Sequence, residues 1–121
     1  MKTEKQIQGI HGEEMATNLL LQKGYRILER NWRCHHLEVD IIGENDDFLV
    51  IVEVKTRKAT TFGDPELFVD RQKQLHMIRS AKYYVKSKQI RKERRFDIIS
   101  VVNGPERQEI RHIEDAFKPH W

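Results

Sequence analysis

The sequence predicts an α/β fold, a mixed central sheet flanked by helices. Two observations carry this expectation. Helical apolar spacing occurs near the start of the chain and again over about 66–86, with strand-like runs between and after. Between them stands FLVIVEVKTR, residues 48–57, whose near-continuous apolar run suits a strand buried on both faces.

Taken in order, the first element is a helix from roughly Ile7 to Lys23. Ala16, Leu19 and Leu20 sit at i, i+3 and i+4, and Gly24 is a C-terminal stop. YRILERNWR follows as a strand of mixed character. LEVDIIGE alternates, placing Leu37, Val39 and Ile41 on one face and Glu38 and Asp40 on the other. GENDD is a turn by composition. After FLVIVEVKTR, KATTFGDP is a loop. Asp64-Pro65 then offers an N-cap and a proline at N1 for a helix running from about Glu66 to Lys86. Its apolar stripe draws on Val69, Leu75, Ile78, Ala81 and Val85. KSKQIRKERR is a charged connection. FDIISVV is another buried-looking strand, closed by Asn103-Gly104-Pro105, and EIRHI reads as a last short strand. The order is α-β-β-β-α-β, with one strand more at the end.

The chain has 121 residues, which fits one domain, 1–121. No apolar run approaches the ~20 residues of a membrane span. The N-terminal MKTEKQIQGIHGEE lacks the apolar core of a signal peptide. Cys34 is the sole cysteine, so an internal disulfide is excluded and a reducing, cytoplasmic setting is expected. The net charge of +3 is unevenly spread: residues 71–95 carry +9 and the remainder −6. Such polarity implies a basic face and a separate acidic cluster. No Gly-rich phosphate loop, G-x-S-x-G element or histidine-based triad is present, so no organic cofactor is expected.

Strand alternation puts Glu53 and Lys55 on one face, ahead of Leu49 and Ile51. Glu38 and Asp40 lie on one face of the preceding strand, joined to it by a short turn. The carboxylates and the lysine thus converge at one end of a sheet. Buried without partners they would cost several kcal/mol each. A divalent cation with oxygen ligands removes that repulsion, and Mg²⁺ takes one or two carboxylates with waters and phosphate. Such a cation activates water, and a neighbouring lysine stabilises charge on a phosphodiester. The bland alternative is a Glu53–Lys55 surface pair worth about 0.2–1 kcal/mol.

Asp40 followed by Glu53-Val54-Lys55 resembles the PD-(D/E)XK nuclease signature. The likeness extends to Gly12-Glu13-Glu14, Ala16, Gly24-Tyr25, Asn31-Trp32, Glu38-Val39-Asp40, VEVKTR at 52–57, Phe62-Gly63 and Arg95-Phe96-Asp97. Together these resemble the uncharacterised bacterial family typified by YraN, over about residues 9–102. The resemblance implies a restriction-endonuclease-like αβββαβ core, related in layout to Holliday-junction resolvases, with 103–121 a peripheral strand or tail. It implies Asp40, Glu53 and Lys55 as catalytic residues, assisted by Glu13 and Glu38. Glu13, Asp40 and Glu53 would hold Mg²⁺ or Mn²⁺. Leu37 stands where that family usually has glycine, and Val39 replaces the signature proline.

Arg57, Lys73, Arg79, Lys82 and Lys86 are candidate phosphate contacts on nucleic acid, DNA before RNA, in a possible homodimer with no membrane partner. Asp97 is expected either to face the site or to pair with an arginine such as Arg95, with the structural role favoured. Cys34-His35-His36 lacks zinc-ligand spacing. Trp32, Tyr83 and Tyr84 can stack on bases, but packing is the commoner role. The rival readings are a nucleic-acid-binding module that does not cut, and a protein-interaction domain using its acidic and basic faces.

Overall fold

A computed structural model describes residues 1–58, 69–105 and 108–119. The elements run α1 (Glu4–Gln22), β1 (Arg26–Cys34), β2 (Leu37–Glu44), β3 (Phe48–Lys58), α2 (Arg71–Lys88), β4 (Glu93–Asn103) and β5 (Gln108–Phe117). This is the expected αβββαβ order with an added edge strand. The five strands form one sheet in the order β1-β2-β3-β4-β5. β3 and β4 are parallel, and every other neighbouring pair is antiparallel. A parallel pair needs a long crossover, and α2 lies within it.

α1 begins earlier than expected because Thr3 caps it. The Thr3 hydroxyl accepts from the Gln6 amide at 3.1 Å, and the Gln6 side chain accepts from the Thr3 amide at 2.9 Å. The helix stops where Gly24 takes φ +89°. Its amide donates to the Leu21 carbonyl at 3.0 Å, and the Tyr25 amide donates to that of Leu20 at 3.0 Å. α1 buries Ala16 and Leu20 against Ile41, Val50, Val52, Ile99 and Val101. Gly12 lies so close to β3 that a Cβ there would meet the Thr56 hydroxyl at 2.0 Å.

On the opposite face, Met77, Ile78, Ala81 and Tyr84 of α2 pack on Val39, Ile42, Leu49, Ile51, Phe96 and Ile98. The strand core Leu49–Val52 is wholly buried between the two helices.

Four expectations need correction. α2 does not start at Asp64-Pro65: that dipeptide lies outside the described residues, and Val69 and Asp70 ahead of Arg71 are not helical. Asp70 is the cap, accepting from the Lys73 amide at 2.8 Å. Leu75 is exposed, and Tyr84 takes its place in the apolar stripe, because at 3.6 residues per turn Leu75 falls well away from the face centred on Ala81, to which Tyr84 belongs. Glu93, Arg94 and Arg95 belong to β4 rather than to the connection, since they continue the ladder opposite Phe48, Leu49 and Val50. Residues 103–121 contribute an edge strand twice as long as EIRHI, paired to β4 from Phe96 to Asn103.

The alternation of β2 also breaks. Val39 packs on the α2 side and Ile41 on the α1 side. The ladder pairs Arg30 with Ile41 and Trp32 with Val39, and Asn31 between them takes φ +51°. The β1–β2 register runs on without a shift through these rungs, so the change of side falls within β2, between Val39 and Ile41. Among the described residues no helix is long and apolar enough to cross a membrane.

Candidate functional site

The site lies where β2 and β3 part. Backbone pairing of β2 with β3 ends at Ile41 opposite Val52. Beyond that rung the Val54 amide donates to Asp40 Oδ2 at 2.8 Å. A side chain thus replaces the strand partner that Val54 has lost, and the carboxylate is fixed at the fork between the strands.

Glu53 projects towards α2, as Leu49 and Ile51 do behind it, and Lys55 lies two residues further along β3, near enough to act on its charge. Lys73, in the first turn of α2, places Nζ 3.2 Å from Glu53 Oε2. Burial raises the Glu53 pKa, against the pull of Lys73 and Lys55, and Glu38 adds to the rise. Burial also pushes Asp40 up, to about 7; Glu53 and Glu13 add to this, while the Val54 amide and Lys73 oppose it. Asp40 is therefore the hub. It senses Glu53 on the α2 side and Glu13 arriving on α1, whose position follows from the close Gly12–Thr56 contact.

Glu38 stands further out, 3.6 Å from Arg33 and 47% exposed. Arg57 follows Lys55 by two residues along β3 and is half-buried. Among the described residues no three His, Cys, Asp or Glu side chains form a group set up to hold a metal. The donor set at the fork is nonetheless all oxygen, which suits a hard cation completed by water and phosphate. Asp40 and Glu53 are the pair that would hold it, with Glu13 acting on Asp40 as a nearby charge.

The chain matches the model of the family described as "Uncharacterised protein family UPF0102" over residues 12–101. A UPF0102 protein of Flavobacterium psychrophilum is 43% identical over 109 residues, spanning 90% of this chain and 92% of the relative. One from Persephonella marina is 44% identical over 112 residues, spanning 92% and 93%. One from Bacteroides thetaiotaomicron is 45% identical over 111 residues, spanning 92% of each. The chain belongs to the UPF0102 family. The UPF0102 match takes in α1 from Gly12, the fork, α2 and β4 up to Val101, so Glu13, Glu38, Asp40, Glu53, Lys55 and Lys73 all fall inside it.

The other candidates of this UPF0102 chain lie further along α2. Arg79, Lys82 and Lys86 are exposed and, with Tyr83, line a hollow of about 320 Å³. Tyr83 itself is 45% exposed. Trp32 and Tyr84 are instead packed edge to face, 5.4 Å between centroids. His35 takes φ +56° in the β1–β2 turn and rests its ring 5.0 Å from that of Tyr83.

Asp97 is held away from this corner in a buried network. Arg95 donates to it twice, at 2.9 and 2.8 Å, and also to the Tyr25 hydroxyl. The Asp115 amide donates to it at 2.9 Å, and His112 Nε2 lies 2.6 Å away. Lys23 Nζ lies 2.8 Å from His112 Nδ1. An ammonium only donates, so Nδ1 accepts and Nε2 carries the proton shared with Asp97. The expected Arg95–Asp97 pair is present. His112 was not anticipated, because nothing in EIRHI marks which residue of a short strand faces β4's buried carboxylate.

Proposed function

We propose that the fork at Asp40 and Glu53 binds Mg²⁺ or Mn²⁺ and that the chain hydrolyses phosphodiester bonds in nucleic acid, structured DNA before RNA. The observation that carries the reading is the shape of the fork. Two half-buried carboxylates from adjacent strands stand where the strands part, each with a raised pKa, and lysines lie beside them. Folding tolerates such repulsion poorly unless the pair has a use. Asp40 before Glu53-Val54-Lys55, inside an αβββαβ order, is the arrangement the nuclease resemblance requires.

When bound, the cation lowers the pKa of a coordinated water and polarises the phosphate. Asp40, held in position by the Val54 amide, would be one of the cation's ligands, in its ionised form. Glu53 would be the other ligand, and Lys73, which now pairs with it, would be placed to meet phosphate. Lys55 stabilises charge developing at the scissile group and orients the attacking water. Arg79, Lys82 and Lys86 draw the backbone along α2. The reading takes residues 1–121 as one working unit, with a homodimer as its assembly and the cytoplasm as its setting.

A module that binds without cutting is the second reading. The Lys73–Glu53 ion pair favours it, because it already neutralises one of the two carboxylates. A cleavage screen on duplex, junction and flap DNA and matching RNA, with Mg²⁺ or Mn²⁺, separates the two. The parent should cut, and Asp40→Asn, Glu53→Gln and Lys55→Ala should lose at least ~10²-fold in rate while retaining binding. A parent that binds but cuts nothing supports the second reading. Equal rates for the parent and Asp40→Asn would remove the site assignment.

A further inference from the structure

The outward face of α2 carries more than charge. Gln72, His76, Arg79, Tyr83 and Lys86 follow one another at four- and three-residue steps, which aligns them on the face opposite Met77, Ile78, Ala81 and Tyr84. The stripe begins beside Lys73, at a hollow of about 210 Å³ lined by Asp70, Gln72, Lys73 and His76. It ends at the larger hollow of Arg79, Lys82, Tyr83 and Lys86. Ten residues of helix separate Lys73 from Tyr83, so the two hollows lie ~15 Å apart.

An exposed tyrosine is an expensive way to decorate a solvated helix. Tyr83 contributes nothing to the core cluster under α2, where Tyr84 does that work. His35 supports the Tyr83 ring from one side, tilted by 52°, which limits its motion without covering it. Cations at i−4, i−1 and i+3 surround it. Contacts to phosphate alone require only the cations. An aromatic face set among them adds something that a duplex, whose bases are already stacked on each other, cannot use. An unpaired base offers a free π-face.

We propose that the Tyr83 hollow is a subsite for an unpaired nucleotide: the base stacks on Tyr83, and Arg79, Lys82 and Lys86 hold the flanking phosphates. A single-stranded segment then runs along α2 towards Lys73 and the fork. The inference rests on the nucleic-acid reading above and specifies the substrate as one with a single-stranded portion, such as a flap, a gap or an open junction arm.

The test is fluorescence anisotropy of the full chain with a labelled unstructured DNA single strand and a blunt duplex of equal length, across a salt series. The variants are Tyr83→Ala, Tyr83→Phe and Lys82→Ala/Lys86→Ala, each checked for an unchanged thermal transition. Tyr83→Ala should weaken single-strand binding by about tenfold or more and leave both the duplex affinity and the salt slope unaltered. Tyr83→Phe should retain the parent's affinity. Lys82→Ala/Lys86→Ala should weaken both ligands and reduce the salt slope by ~1–2 units. If Tyr83→Ala binds the single strand as the parent does, the stacking subsite is overturned while salt-sensitive duplex binding still upholds the broader reading. If the parent binds neither ligand, both fall together.

Discussion

Asp40 Oδ2 accepts the Val54 amide at 2.8 Å, one rung past the last backbone pair between β2 and β3. This bond joins the fold to the proposed chemistry. It satisfies a main-chain donor that the strand separation would otherwise orphan. It also sets up a measurable conflict. The Asp40 pKa is pushed up to about 7 by burial, then by Glu53, despite the Val54 bond.

That conflict has a definite sign. The ordinary value is 3.8, so between there and about 7 the folded chain retains a proton that the unfolded chain has released. Stability attributable to this group therefore falls as pH rises through the window. Asp40→Asn keeps an oxygen acceptor for Val54 and removes the titration. It should be close to neutral near about pH 4 and stabilising by about 1–3 kcal/mol near about pH 8. Urea unfolding of both proteins with chelator present checks this. A variant no more stable than the parent at the higher pH contradicts the burial of Asp40.

Asp97 should behave in the opposite way. Burial opposes its ionisation, but His112, Arg95 and the Asp115 amide outweigh this and hold its pKa below the ordinary value. Its contribution is complete above the unfolded pKa and is lost as pH falls through the lower folded value. Asp97→Ala leaves Arg95 buried with its strongest partner gone, at a cost of about 3–5 kcal/mol. Denaturant midpoints at neutral pH test it, and a cost under ~1 kcal/mol would show that the network does not support the fold.

Gly12 links α1 to the fork. A methyl group there would fall 2.0 Å from the Thr56 hydroxyl and 3.1 Å from its Cβ and Cγ2, so rotation of Thr56 offers no escape. Gly12→Ala should cost about 1–3 kcal/mol despite the higher helix propensity of alanine. It should also move Glu13 away from Asp40. Adding Thr56→Ala removes the closest atom and should recover part of the loss. Thermal melts of the single and double variants decide it; full stability in Gly12→Ala alone contradicts the tight helix–sheet contact.

Much of this was readable from the chain, for local reasons. The buried run at Leu49–Val52 and the projection of Glu53 follow from strand alternation, which persists past the end of the β2 pairing because β3 stays paired with β4. The same rule failed at Val39 and Ile41, which face opposite sides although the β1–β2 register is unshifted there, and nothing in LEVDIIGE marks the change. The start of α2 was misplaced because Asp64-Pro65 and Asp70 both have cap chemistry, and only tertiary contacts select between them. Lys73 reads as a phosphate contact from sequence; that it neutralises Glu53 depends on how α2 docks on β3, which no local pattern encodes. His112 and Asp97 meet only through the β4–β5 register, which no local signal encodes.

The most direct test of the central claim is Mn²⁺ binding to the full chain, followed by loss of the free-ion paramagnetic resonance signal near about pH 7.5, above the raised Asp40 pKa. The account predicts saturable binding by the parent, weakened about tenfold or more in Asp40→Asn and in Glu53→Gln, and little changed in Asp97→Asn, whose carboxylate sits in the separate network. Binding should weaken as pH falls, because protons compete for Asp40 and Glu53. A parent that binds no Mn²⁺, or an Asp40→Asn variant that binds it as tightly as the parent, would contradict the account.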